Sequence, residues 1–510
     1  LRRISTAVFL GLTTTGAALA QQPLSAIEWL DQASTAAVTT VPRPSLMEPP
    51  SADTVTVPSV TVTALDAPRA DAVGLLPSTT TGLPTTLWEK STTPTLLRAL
   101  SQLESEPLPA IQALYYTLLL AEANAPLDAG TEAAFLQARL NALRRFGAVE
   151  PAQAMAERAG PMTKPLFDQW FDLSLLLGQE DPACSMLSRK PRLTSEIGAR
   201  IYCAARSGDW NTAALTYHSA TALGTLSETD ATLLALYLDP ELIDETAPPQ
   251  PPQNLTPLQF RLFEAIGTAL PTHNLPRAFA MADLRGNSGW KAEIEAAERL
   301  ARTGAVPASR LLGLYTERRP AASGGVWDRV AAIQALDLAL SEGATQDIAG
   351  TLPTAWRAAR AERLEVVFAE LFAERLAGQE IPASIASQAF EIMLLSNKYE
   401  MAAMALTSPS ESQDFLIKTA NGTPPPATAR TALQEAIAEG FASTLPPPDH
   451  QALIDAGRLG EAILAAARQI GRGDRARDAL PGAIATLRSL GLEDTARRAA
   501  LQLLLLEPRG

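Results

Sequence analysis

From about residue 93 onward, apolar residues return every three or four positions, and that period commits the body of the chain to helices. Ala359 to Leu376 shows the pattern. Leu364, Val367, Phe368, Leu371, Phe372 and Leu376 recur along one side, while Glu362, Arg363, Glu365, Glu370, Glu374 and Arg375 cover the other. Ile111 to Glu122, Phe135 to Phe146 and Val330 to Leu340 carry similar stripes. Composition agrees: 46% of residues are hydrophobic but only 5% aromatic, which favours Ala- and Leu-rich helices over strands. The expected fold class is all-α.

A local pattern recurs inside this body. Gly208, Trp210 and Ala213 place a bulky residue two after a glycine and an alanine five after it. Gly147, Val149 and Ala152 repeat the spacing, as do Gly457, Leu459 and Ala462. Gly491 is followed at once by Leu492 and then by Ala496, and Asn397, Tyr399 and Ala402 put asparagine where glycine stands elsewhere. Gly304 and Val306 form a weaker copy with Ser309 in the alanine place. The physical reading is a tight helical hairpin. Gly or Asn ends one helix with positive φ, the bulky side chain plugs the turn, and Ala lets the second helix pack close.

The pattern resembles the inter-helix turn of tetratricopeptide (TPR) repeats. In the copy at Gly208, Tyr217 and Ala220 fall where that family has an aromatic and a small residue, and Gly457 and Gly491 stand one 34-residue repeat apart. The helix before Gly208 lacks the family's earlier Gly and Trp signature, so the resemblance is partial and degenerate. It implies a right-handed superhelical array of antiparallel helical hairpins, an α-solenoid, whose exposed surface binds proteins or peptides.

The chain divides by composition. Residues 1–20 read as a cleavable leader: Arg2 and Arg3, an apolar stretch from Ile4 to Leu12, and Ala18-Leu19-Ala20 at the cleavage site. No Cys follows that site, so a lipoprotein route is not expected, and the product is expected to be periplasmic or secreted. Residues 21–90 hold nine prolines and twelve threonines and read as a disordered arm, with Leu83, Leu87 and Trp88 docking its end. Within it, Val55, Val57, Val60, Val62 and Leu65 alternate around Pro58 like an edge strand. Proline runs at 248–252, 424–426 and 446–448 suggest lobes at 91–246 and 254–445, then capping hairpins at 449–510. The leucines at Leu503 to Leu506 fall on more than one helix face, which fits either a docked terminal helix or a homo-oligomer contact.

Catalytic signals are sparse. Cys184 and Cys203 close a short loop across adjacent helices, and in an exported chain a structural disulfide is the natural reading. His218, His273 and His450 are far apart, with no metal-binding spacing, so no metal and no cofactor is expected. A formal net charge of −13 argues against a nucleic-acid surface, and outside the leader no apolar run is long enough to span a membrane. Glu104 with Glu106, and Glu241 with Asp244 and Glu245, are the acidic groups that a glycan-cleaving site would need. The reading is therefore an exported, non-catalytic scaffold or adaptor for a protein or peptide partner. The alternatives are a cell-wall glycan-active enzyme with an acidic cleft and a self-assembling envelope component.

Overall fold

The computed structural model describes residues 69–406, 409–472 and 478–506. The stretch read as a leader, most of the expected arm and its Val55–Leu65 segment lie outside the described residues. Among the described residues there are 25 α-helices, several 3-10 turns and no strand. An isolated parallel bridge joins Leu76 to Ala121. No described helix is long and apolar enough to cross a membrane.

Sequence-local chemistry sets many of the helix limits. Thr256 and Ser410 each accept the N–H of a glutamine three residues on, whose side chain in turn accepts the cap N–H. Proline occupies the first turn of Pro109–Leu120, Lys164–Leu177 and Pro257–Ala265, where its missing N–H costs nothing. Gly147, Gly178 and Gly343 end their helices in the left-handed conformation. Successive helices then pack as neighbours: Val326–Glu342 on Thr345–Ala361, Ile197–Arg206 on Trp210–Ala222, and Leu459–Gly471 on Leu480–Ser489.

Contacts distant in sequence matter as much. Leu459–Gly471 packs on both Thr93–Ser101 and Pro109–Leu120, and Glu493–Leu505 packs on Pro109–Leu120. Trp88, wholly buried, lies so close to Gly460 that a Cβ there would sit 2.1 Å from the indole Cζ3. The Gly460 N–H donates to the Leu87 carbonyl, and Gln502 Oε1 accepts the Ala110 N–H. One hydrophobic core accordingly runs from Val73 through Phe167, Phe260 and Leu300 to Ile463 and Ala500. A second covers 294–395, and a small third joins Phe390, Tyr399 and Leu501.

These cores correct the division drawn from composition. The proline run at 248–252 does not separate lobes, because Lys164–Leu177 packs directly on Pro257–Ala265 across it. Residues 449–506 are not a terminal cap on one end of a row, since they share a core with residues 87–119. The disordered arm expected for 21–90 is too long at its C-terminal end. Asp71 and Val73 are already buried, along with the anticipated Leu83, Leu87 and Trp88.

What holds this entry segment is an arginine. Arg139, 1% exposed on Ala134–Phe146, donates through Nε to the Leu119 carbonyl at 2.8 Å. It also donates to Val73 O at 2.7 Å and Ala121 O at 2.8 Å. Asp71 accepts the Leu136 N–H at 2.7 Å and supplies the nearby negative charge. Burial pulls the guanidinium down to about 10, still charged at neutral pH. Removing the guanidinium would leave these buried carbonyls short of a donor, a loss on the order of 1–3 kcal/mol per group.

At the other end, His450 is buried with Nδ1 2.7 Å from Thr486 Oγ1. The Thr486 hydroxyl donates to the Gly482 carbonyl, so His450 donates through Nδ1. Burial, outweighing nearby Asp449, lowers the imidazole pKa below its ordinary value. The unfolded chain then binds more protons below about pH 6.5, so this contribution to stability is complete above that pH and is lost on acidification. Urea unfolding between pH 7 and 5 should show the unaltered protein losing stability relative to His450→Gln. Parallel profiles for the two proteins would remove the argument.

Candidate functional site

The residues singled out from sequence fall mainly at turns. Gly147, Gly208, Gly304, Gly457 and Gly491 all have positive φ, between 67° and 87°. Behind them Ala152, Ala213, Ala462 and Ala496 are fully buried, and Ala402 nearly so. Val149 is buried, whereas Leu459 and Leu492 are only partly so. Cys184 and Cys203 are bonded, with Cα atoms 4.9 Å apart, and link Asp181–Arg189 to Ile197–Arg206.

Two of these readings need correction. Asn397 does not take positive φ; the non-glycine residues that do are Ala133 and Arg363 among those described. Tyr399 is buried, but its hydroxyl reaches across to Asp494 at 2.9 Å and ties this hairpin to the C-terminal helix. Trp210 is not a plug, being 51% exposed as the first residue of Trp210–Ala222. That helix buries only Ala213 and Ala220 deeply, so its bulky residues have little to pack on. The acidic candidates are dispersed as well. Glu106 pairs with Arg277 at 2.6 Å, Glu104 lies 3.6 Å from Arg472, and Glu241, Asp244 and Glu245 are solvent-exposed.

Among the concave sites lined by described residues, two bear most on function. One, of about 520 Å³, is lined by Asp168, Asp172, Glu196 and Asp230. Burial pushes the Asp172 carboxyl up to about 6 against the pull of Arg144, whose Nη1 lies 3.0 Å away. Asp230 accepts from Gln259 Nε2 at 2.9 Å and from the Ser227 hydroxyl at 2.6 Å. Asp172 and Asp230 are thus engaged by neighbouring protein groups. No set of His, Cys, Asp and Glu able to hold a metal occurs among the described residues.

The other site, of about 210 Å³, lies where distant parts of the chain meet. Pro109, Gln112, Ala113 and Tyr116 come from Pro109–Leu120, and residues 301–308 supply its second wall. Arg363, Val366, Val367 and Glu370 make the third wall, and Arg498 enters from Glu493–Leu505. The helices Pro109–Leu120 and Ala308–Thr316 both begin here with no acid in the first turn; the first has its Ala110 N–H taken by Gln502, and the second has no side-chain cap. The two helix dipoles, and the uncapped first turn of Ala308–Thr316, therefore bias the cavity toward negative charge.

The side chains reinforce that bias unevenly. Arg302 pairs with Glu362, which also accepts from Arg329 Nη1 at 3.2 Å. Arg329 in turn grips Glu298 through two bonds of 2.6 Å, and the Tyr315 hydroxyl donates to the same carboxylate at 2.7 Å. This network fixes the wall behind the cavity. Arg363, turned by its left-handed backbone (φ 55°), lies 3.3 Å from Glu106. Arg498 is more weakly engaged, 3.9 Å from Asp494, and its charge opposes the burial that raises the Glu370 pKa.

Gln112 is the exceptional group. It is 2% exposed, and neither its Nε2 nor its Oε1 has a hydrogen-bond partner. A buried amide with both ends unpaired is costly, on the order of 1–3 kcal/mol per group. Sequence reading passed over it, because a glutamine in an amphipathic helix normally lies on the solvated face.

The Trp210 correction is testable. Trp210→Ala should change stability by less than about 0.5 kcal/mol, as exposed substitutions do. A melting temperature several degrees lower would return Trp210 to the packed turn. In comparison with known proteins, the chain matches no family model, no curated protein and no solved structure.

Proposed function

We propose that this protein is an exported, non-catalytic adaptor that holds a peptide or protein partner on its helical body. The observation that carries the reading is the cavity at Gln112: a cationic recess with an unpaired donor and acceptor. Such a recess is suited to binding, since its polar groups await a partner that the folded chain does not supply. The exposed Trp210, Leu215 and Leu223 add a second surface of the kind partners use, as tryptophan is enriched where binding energy concentrates.

The hairpins fit a degenerate, right-handed TPR-like array. Positive-φ glycines are followed at five residues by buried alanines at Gly147, Gly208, Gly457 and Gly491. An open solenoid is not required for the adaptor reading, and the return of 459–505 onto 93–120 gives the cavity a wall that a simple row of repeats lacks.

The glycan-active alternative would draw on the cleft at Asp172, whose raised pKa suits a general acid. The engagement of that carboxylate by Arg144 favours a structural role instead. Self-assembly through Leu503 to Leu506 is disfavoured by the packing of these leucines against the chain's own cores.

Chemical cross-linking in intact cells, followed by mass spectrometry of the tagged chain with and without residues 21–68, tests the reading. A reproducible heterologous partner retained without residues 21–68 is the expected result. Self-links alone, or hydrolysis of cell-wall glycan by the purified protein, would overturn it.

A further inference from the structure

The cavity at Gln112 constrains the chemistry of what it holds. Its walls offer positive charge from Arg363 and Arg498, and the uncapped N-terminus of Ala308–Thr316 opens onto it. An anion therefore belongs in it. An anion without a proton to give, such as chloride or sulfate, does not complete the site, because it would satisfy Gln112 Nε2 and leave Oε1 without a donor. The ligand needs an acceptor and a donor side by side, as an amide has, together with a negative group a short distance away.

Size and lining narrow the choice. At about 210 Å³ the cavity is smaller than a site for a drug-sized molecule, which typically takes roughly 300–1,000 Å³. It accommodates the end of a chain more readily than a whole folded element. Ala113, Val306, Val366 and Val367 give it an apolar side suited to a small aliphatic side chain. Glu370, on the same wall, adds an acceptor for a ligand N–H.

We propose that this cavity receives the free carboxyl end of a peptide-like ligand, with the terminal carboxylate held on the Arg363 and Arg498 side and the adjacent amide bonded to Gln112. The inference rests on the adaptor reading and specifies what the partner presents. The same chemistry is offered by the C-terminus of a protein and by a free acylated dipeptide.

Calorimetric titration of the full chain with N-acetyl-Ala-Val as the free acid, and with the same dipeptide as its C-terminal amide, tests the proposal. The free acid should bind, and the amide should bind about tenfold or more weakly, the scale of one charge-assisted hydrogen bond. Arg498→Met should lower free-acid affinity by a similar factor. Gln112→Leu should also weaken binding while raising the melting temperature of the unliganded protein, because it removes an unpaired buried amide. A merely structural glutamine would lower that temperature.

An eight-residue peptide ending in the same two residues separates the sources. Equal binding of peptide and dipeptide indicates a protein terminus, and binding of the dipeptide alone indicates a small molecule; either upholds the carboxyl-end chemistry. No binding of the free acid at millimolar concentration, equal binding of acid and amide, or binding of inorganic phosphate in place of the acid would overturn it. Should Gln112→Leu not fold, the acid-versus-amide comparison on the unaltered protein still decides. A cross-linked partner that persists in both variants would leave the adaptor function standing and remove this assignment alone.

Discussion

Gln502 accepts the N–H of Ala110, a residue 392 positions earlier, and so caps a helix that has no side-chain cap of its own. The first N–H groups of any helix need outside partners. Here one is supplied by the far end of the chain. The contact is part of a wider fastening: Trp88 against Gly460, the Leu87 carbonyl on the Gly460 N–H, Glu104 beside Arg472, and Tyr399 on Asp494. Each joins the C-terminal helices to elements tens or hundreds of residues away. The cavity at Gln112 exists because of it, since Arg498 reaches that recess from the same helix that carries Gln502.

This fastening changes what the hairpins can do. In a simple repeat array each unit touches only its neighbours, and stability is close to a sum of local terms. Here the first and last helical pairs share a hydrophobic core, so loosening one end exposes apolar surface at the other. The central segment is held by different means. The Glu298, Arg329, Glu362 and Arg302 network binds the hairpins around residues 298–362, with Tyr315 completing the coordination of the Glu298 carboxylate. That rigid wall presents Arg363 and the valines that follow it to the cavity. A chain of net charge −13 thus concentrates positive groups at one recess, which makes the local charge informative where the total is not.

How much of this the sequence disclosed depends on the range of the interaction. Helices, their caps and the glycine turns rest on contacts within a few residues, and the period of Leu364, Phe368 and Phe372 or the φ of Gly457 can be anticipated from composition and spacing. The turn at Arg363 was not legible, because a positive φ there is imposed by packing and not by residue type. Trp210 misled for the complementary reason: the pattern marked the turn correctly, but whether the bulky side chain meets a neighbour depends on what lies beyond the hairpin. Arg139 and Gln112 look in sequence like solvated residues on amphipathic helices. Their roles arise from residues 73, 119 and 121 in one case, and from an orphaned position at a three-walled recess in the other. The cavity combines Gln112, Arg363 and Arg498, and no spacing rule connects those positions.

Amide hydrogen exchange at Ala110 and Gly460 tests the fastening of the two ends most directly. If the C-terminal helices are integral to the fold, both amides should exchange only through global unfolding, with protection equal to that of amides inside Ala134–Phe146. Exchange of Ala110 and Gly460 through a much smaller opening, while Ala134–Phe146 stays protected, would show that the ends separate readily. That result would contradict both the shared core and the cavity built upon it.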